Sequence, residues 1–99
     1  MVAVKFEDIT DALKTGREIE FTYNQKKYSI TNSNGFWRLC SDTDTPVILE
    51  TICASSERTL LAEKIKNISI EGVSIPDIFD NAKYDLSSLY ILWFYEFLL

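Results

Sequence analysis

From Glu18 to Cys40 the chain reads EIEFTYNQKKYSITNSNGFWRLC, with apolar side chains at alternate positions. Ile19, Phe21 and Tyr23 alternate with Glu18, Glu20 and Thr22, the period of a strand that buries one face. Asn24-Gln25 can turn the chain, although Gln is a poorer second turn residue than Gly, because a two-residue hairpin turn needs positive φ at both positions. Tyr28 and Ile30 then alternate with Lys27, Ser29 and Thr31. The run Asn32-Ser33-Asn34-Gly35 carries the strongest turn signal in the sequence, since Asn-Gly tolerates that conformation. Phe36 to Cys40 supplies a third strand. Three short strands joined by two tight turns make an antiparallel meander.

Outward from this core the period changes. Phe6, Ile9 and Leu13, with Ala12 beside them, form one apolar stripe of a helix over about residues 5–15. Gly16 follows as the residue that can end it in the left-handed conformation. On the other side, Ser41 to Pro46 is a polar, acidic loop and Val47 to Ile52 reads as a fourth strand. Ser55 or Ser56 can cap a helix over about residues 56–67, with Glu57 placed favourably near its start and Leu61, Ile65 and Ile68 on its apolar face. Glu71-Gly72 is a turn. Ser74-Ile75-Pro76-Asp77 opens a short helix whose apolar face holds Ile75, Ile78 and Phe79. Tyr84 to Leu99 fits either a long buried strand or a helix apolar on all sides, because periodicity does not separate the two. The pattern predicts an α+β fold. Its antiparallel meander sheet has three to five strands, with two or three helices packed on one face, in one domain over residues 1–99.

The composition narrows the chemistry. The chain has 99 residues, with ten Lys and Arg against fifteen Asp and Glu, a net charge of −5. Nucleic-acid phosphates need a basic footprint, so direct nucleic-acid binding is not expected. There is no histidine, which removes the commonest general base and the commonest metal ligand together. Cys40 and Cys53 form no CxxC pair, so no zinc site is expected, and two small reduced side chains in or beside strands are the plain reading. Asp42-x-Asp44 lacks the Gly and terminal Glu of a calcium loop. Glu18 and Glu20 on one strand face lack the cleft of a glycosidase pair. No G-x-S-x-G elbow and no Gly-rich phosphate loop occurs. The expectation is a non-enzyme with no cofactor and no metal. The N-terminus has no secretory pattern, and a small secreted domain would carry more cysteines, which points to the cytoplasm. From Leu86 to Leu99 eleven of fourteen residues are apolar or aromatic, but the run contains Glu96 and is short of a membrane span.

Charge is distributed unevenly. Residues 1–39 hold six basic and five acidic side chains, whereas residues 40–99 hold four basic and ten acidic. Asp42, Asp44, Glu50, Glu57, Asp77 and Asp80 are the candidate contact residues of an acidic, partner-binding surface, because carboxylates on a rigid frame can stand in for phosphates and steer encounter. The tail raises a second possibility. Nine of the ten residues from Tyr90 to Leu99 are apolar or aromatic, so the segment 86–99 needs cover. Tyr90, Trp93, Phe94 and Phe97 are candidate contacts of a homodimer.

The stretch from Asp11 to Ile30, DALKTGREIEFTYNQKKYSI, resembles a group of small acidic proteins of Gram-positive bacteria and their phages. Those proteins look like a short helix, a GREIEF-x-YNGKKY hairpin, a GxWxLC-like strand and a later I-x-G-x-S-L-x-E-I-W-D helix. Here the last reads Ile70-Glu71-Gly72-Val73-Ser74-Ile75-Pro76-Asp77-Ile78-Phe79-Asp80. The sequence departs at Gln25, where Gly is typical, and in its aromatic tail. The resemblance implies a mobile-element setting, in which small acidic proteins act as inhibitors such as anti-CRISPR proteins. It gives the leading expectation, an inhibitor that blocks a nucleic-acid-binding effector such as a CRISPR nuclease through its acidic half. The alternative is a self-associating adaptor or immunity protein.

Overall fold

The computed structural model describes residues 3–42 and 45–92. Both turns read from the sequence form as two-residue hairpin connections. Asn24 and Gln25 take φ of 50° and 66°, and Asn34 and Gly35 take 51° and 84°. These are the positive angles of the turn type whose twist matches that of paired strands. They join β1 (Glu18–Tyr23), β2 (Lys26–Ser33) and β3 (Phe36–Ser41). The register sets Phe21 opposite Tyr28 and Ile19 opposite Ile30, with Ile30 in turn opposite Leu39. A fourth strand, β4 (Val47–Ala54), pairs with β3.

The helices share one face of this sheet. α1 (Phe6–Lys14) precedes the meander and ends on Thr15. Gly16 then takes φ of 90°, its N–H reaches Leu13 O at 3.0 Å, and Arg17 N–H reaches Ala12 O at 3.1 Å. That pair of bonds satisfies carbonyls the helix end would otherwise orphan. After β4 comes α2 (Arg58–Lys64), continued by a 3-10 turn at Ile65–Asn67. The expected serine cap does not form, and the helix starts on Glu57. Ser55 is engaged elsewhere: its hydroxyl donates to Asn32 Oδ1 and its carbonyl accepts Trp37 Nε1 at 3.1 Å. α3 (Ile75–Asp80) is capped as its sequence suggests, with Ser74 Oγ accepting Asp77 N at 3.2 Å.

Between α2 and α3 stands a small hairpin the sequence reading treated only as a turn. β5 (Ser69–Ile70) and β6 (Val73–Ser74) pair across Glu71 and Gly72, at φ of 51° and 81°. Residues beyond α3 resolve the helix-or-strand ambiguity for Tyr84 to Leu92. Neither a long strand nor a long helix forms. Tyr84 is buried, Leu86–Ser88 is a 3-10 turn, and β7 (Tyr90–Leu92) is a three-residue strand antiparallel to β1. The five-stranded order is β4-β3-β2-β1-β7, so this segment lies at an edge and not at the centre of the sheet.

One core joins the layers. Ile9 and Leu13 of α1, Leu61 of α2 and Ile75, Ile78 and Phe79 of α3 are fully buried against Ile19, Phe21, Ile30 and Trp37. Phe79 meets Phe21 edge-on at 5.1 Å and Tyr84 at 4.8 Å, spacings at which aromatic rings attract. Tyr84 Oη accepts Val4 N at 2.9 Å, tying the start of the chain to the far side of α3.

Candidate functional site

The two outer edges of the sheet are finished differently. On the β1 side, β7 sets Leu92, Ile91 and Tyr90 opposite Glu18, Ile19 and Glu20. Before β7 begins, side chain and loop take this role: Thr22 N donates to Ser88 Oγ at 2.7 Å, and Asp85 N donates to Thr22 O at 2.9 Å. Arg17 Nη2 donates to Ile91 O at 3.1 Å. Every outward group named here has a partner, as the cost of an unmet backbone group requires.

Among the described residues no strand lies beyond β4, and five of its residues are exposed. Val47, Ile48, Leu49, Glu50 and Thr51 are all exposed, the three aliphatics at 50%, 53% and 49%. Two bulges account for this. The register passes from Trp37–Cys53 to Arg38–Thr51 and from Leu39–Glu50 to Cys40–Ile48, so Ile52 and Leu49 are extra residues. A bulge bends its strand and breaks alternation, which is how three consecutive aliphatics all reach solvent. The bare stretch stops at Ile52. That residue is buried and its carbonyl accepts Lys64 Nζ from α2 at 3.1 Å.

Acidic side chains surround this stretch. From Leu39 through Glu57 the sequence has four acids and no base. Glu50 lies on the strand and lines a groove with Leu49, Tyr28, Ile70 and Glu71. Asp42 lies before the strand, beside Glu18, Glu20 and Pro46 on the face away from the helices. Glu57 is exposed just after it. Glu71, by contrast, is held internally by Asn24 Nδ2 and Tyr28 Oη, both at 3.2 Å, with Lys26 at 3.8 Å. Burial first, and the Glu71 bond second, push the Tyr28 hydroxyl above its ordinary range.

The six acids selected from sequence therefore separate. Asp42, Glu50 and Glu57 flank or occupy β4, while Asp44 lies outside the described residues. Asp77 and Asp80 perform intramolecular work. Asp77 pairs with Lys83 at 2.8 Å and also bonds Asn81, and these two partners hold its carboxyl below the usual range. Asp80 Oδ1 accepts Phe6 N at 2.9 Å and its carbonyl accepts Lys5 Nζ at 3.1 Å. Of the candidate tail contacts, Tyr90 is 59% exposed, and Trp93, Phe94 and Phe97 lie outside the described residues.

The buried carboxylate of Glu18 is met by a local bond. Glu18 is 4% exposed and accepts Asn32 N at 2.9 Å. Burial raises its pKa, the Asn32 bond opposes that rise, and Glu20 adds to it. Cys40 and Cys53 are free, and burial raises both thiols, assisted by Asp42 and Glu57 respectively. Such thiols carry little thiolate at neutral pH and are poor nucleophiles. Among the described residues no three His, Cys, Asp or Glu side chains gather as a metal site, and no helix is long and apolar enough to cross a membrane.

The β4 edge escaped the sequence reading, although its signal is present. Val47-Ile-Leu-Glu-Thr-Ile52 breaks the strand period that the meander keeps. Compared with known proteins, the chain matches no protein-family model, no curated protein and no solved structure.

Proposed function

We propose that this chain is a non-enzymatic protein-binding inhibitor, with β4 and its flanking acids as the contact region. The observation that supports this is the exposed stretch Val47–Thr51, paired on one side only with β3 among the described residues, with the aliphatics Val47, Ile48 and Leu49 and with Glu50 on it and Asp42 and Glu57 on either side. An unpaired strand offers main-chain hydrogen bonds, and the acids give direction and long-range attraction toward a basic partner. The finer form of the reading is an anti-CRISPR-like protein that keeps a CRISPR nuclease from its nucleic acid. It rests on the sequence resemblance and on the acid-rich half of the chain.

A cleavage assay tests it. Purified protein in molar excess should abolish DNA cleavage by a partner nuclease and lose potency as salt rises, because exposed charges are screened. Asp42→Asn, Glu50→Gln and Glu57→Gln together should restore cleavage. Asp77 and Asp80 are left intact, since they hold the fold. Undiminished cleavage at every ratio removes the nuclease form of the reading.

A second reading, self-association through the tail, is favoured by the exposure of Tyr90 beside the apolar run that follows it. Light scattering should then give a dimer of the 11.4 kDa chain. A monomer throughout the micromolar range removes this reading, and a dimer through Tyr90 leaves β4 free.

A further inference from the structure

We infer that β4 accepts, on its outer side, an extended cationic segment of a partner protein, which adds to the sheet as a sixth strand along residues 47–51. The inference deepens the protein-binding reading and rests on it. Three observations fix the occupant.

The first is length. The bare edge begins after Pro46, which has no N–H to donate, and ends at Ile52, where Lys64 occupies the carbonyl. Five residues at about 3.3 Å each span roughly 17 Å, enough for a short strand and too little for a long sheet-to-sheet contact. The second is chemistry. Val47, Ile48 and Leu49 present half-exposed aliphatic surface, so the incoming strand carries apolar side chains where it meets them. The third is charge. From Leu39 through Glu57 the chain has four acids and no base. Of the nearby lysines, Lys26 is paired with Glu71 and Lys64 is engaged by the Ile52 carbonyl, so the strand attracts lysine or arginine at the remaining positions and repels carboxylates.

The same observations disfavour a second copy of this chain in that place. Two copies would each bring a net charge of −5, with the four-acid stretch of one facing that of the other. A five-residue pairing also falls short of the roughly 1,200–2,000 Å² that stable protein interfaces bury. An added peptide strand has a smaller requirement, because its main-chain bonds and one or two side-chain contacts suffice.

The probe is a blocked hexapeptide alternating lysine and valine, titrated into the isotopically labelled full chain and followed by amide resonances and hydrogen exchange. Shifts and slowed exchange should concentrate on residues 47–51. A matched glutamate–valine peptide should give neither, and raising salt tenfold should weaken the lysine peptide about tenfold or more. Ile48→Lys, at a half-exposed position, should stay folded and lose the peptide, whereas Ile48→Thr should keep it.

No binding of the lysine peptide at millimolar concentration overturns the inference. So does binding of both peptides alike, or binding whose shifts lie away from β4. Protection of residues 47–51 without peptide, together with a dimer in solution, overturns it in favour of a second copy. The two proposals fail separately. A silent peptide with a nuclease still inhibited removes the strand and keeps the inhibitor. A bound peptide with no nuclease inhibited does the reverse.

Discussion

β1 and β4 bound the four consecutive strands of this sheet and present the same problem, a row of outward backbone groups, which is met in opposite ways. At β1 the problem is removed. β7 pairs with residues 18–20, and Ser88 and Asp85 bond Thr22 where that strand has ended. At β4 the exposure remains, limited by two bulges, by Glu50 and by the Lys64 cap. The specific hydrogen bonds that finish the β1 side contribute to stability and move the outer edge to β7, where Tyr90 is exposed. An edge guarded only by shape and charge contributes little to the stability of the fold. The contrast divides the sheet into a side closed by specific hydrogen bonds and a side left exposed.

The comparison can be broken or sharpened by mutation. The largest effect is expected where β4 is anchored on its inner side. Trp37 is buried opposite Cys53 and bonds Ser55. Trp37→Ala should cost about 3–5 kcal/mol by the cavity it leaves, read as a drop in the denaturant midpoint. A cost near zero would mean that the inner side of β4 is as loosely held as its outer side.

At the other edge, Ser88→Ala should cost about 1–3 kcal/mol, because Thr22 N–H loses its acceptor, with faster amide exchange at Thr22. Unchanged exchange there would show that the serine does not close this edge.

Glu18, opposite Leu92 at the same edge, gives a pH signature. Its folded carboxyl is raised by burial, so the folded state holds the proton to higher pH than the unfolded chain does. The stability it contributes is present at low pH and is lost as pH rises through the folded pKa. Wild-type stability relative to Glu18→Gln should therefore fall as pH rises above the ordinary carboxylate range. A rise there would reverse the assignment.

The smallest effect belongs to the bare stretch. Ile48→Lys should leave stability within about 0.5 kcal/mol of wild type, measured by the same denaturant titration. A loss of several kcal/mol would mean that this stretch is core.

The sequence carried the meander well because its hairpins are local. Each turn and its flanking alternation lie within a dozen residues, and every core position of β1 and β2 named from period two is buried or half-buried. The α3 cap was equally legible, since Ser74 bonds only three residues away. Legibility fell where the determinant is distant. Ser55 looked like a helix cap, but Asn32 and Trp37, far back in the chain, claim it. Asp77 and Asp80 looked like free surface acids until Lys83 and Phe6 were placed beside them. The strand at Tyr90–Leu92 needed β1 as a partner, a pairing no local pattern announces. The bare edge went unread for a related reason: a bulge is a mismatch between two strands, and one strand alone does not reveal it.

The closing of β1 has a consequence during synthesis. The meander can pair as soon as residues 18–54 have left the ribosome, because its contacts are between neighbours. The groups that seal β1 come from Asp85, Ser88 and residues 90–92, which emerge last among the described residues. Until then the nascent sheet has two open flanks, the condition in which partly made chains stick to one another. Glu18 and Glu20 on β1, like Glu50 on β4, put carboxylates on those flanks, and charges of this kind beside apolar strands oppose such sticking.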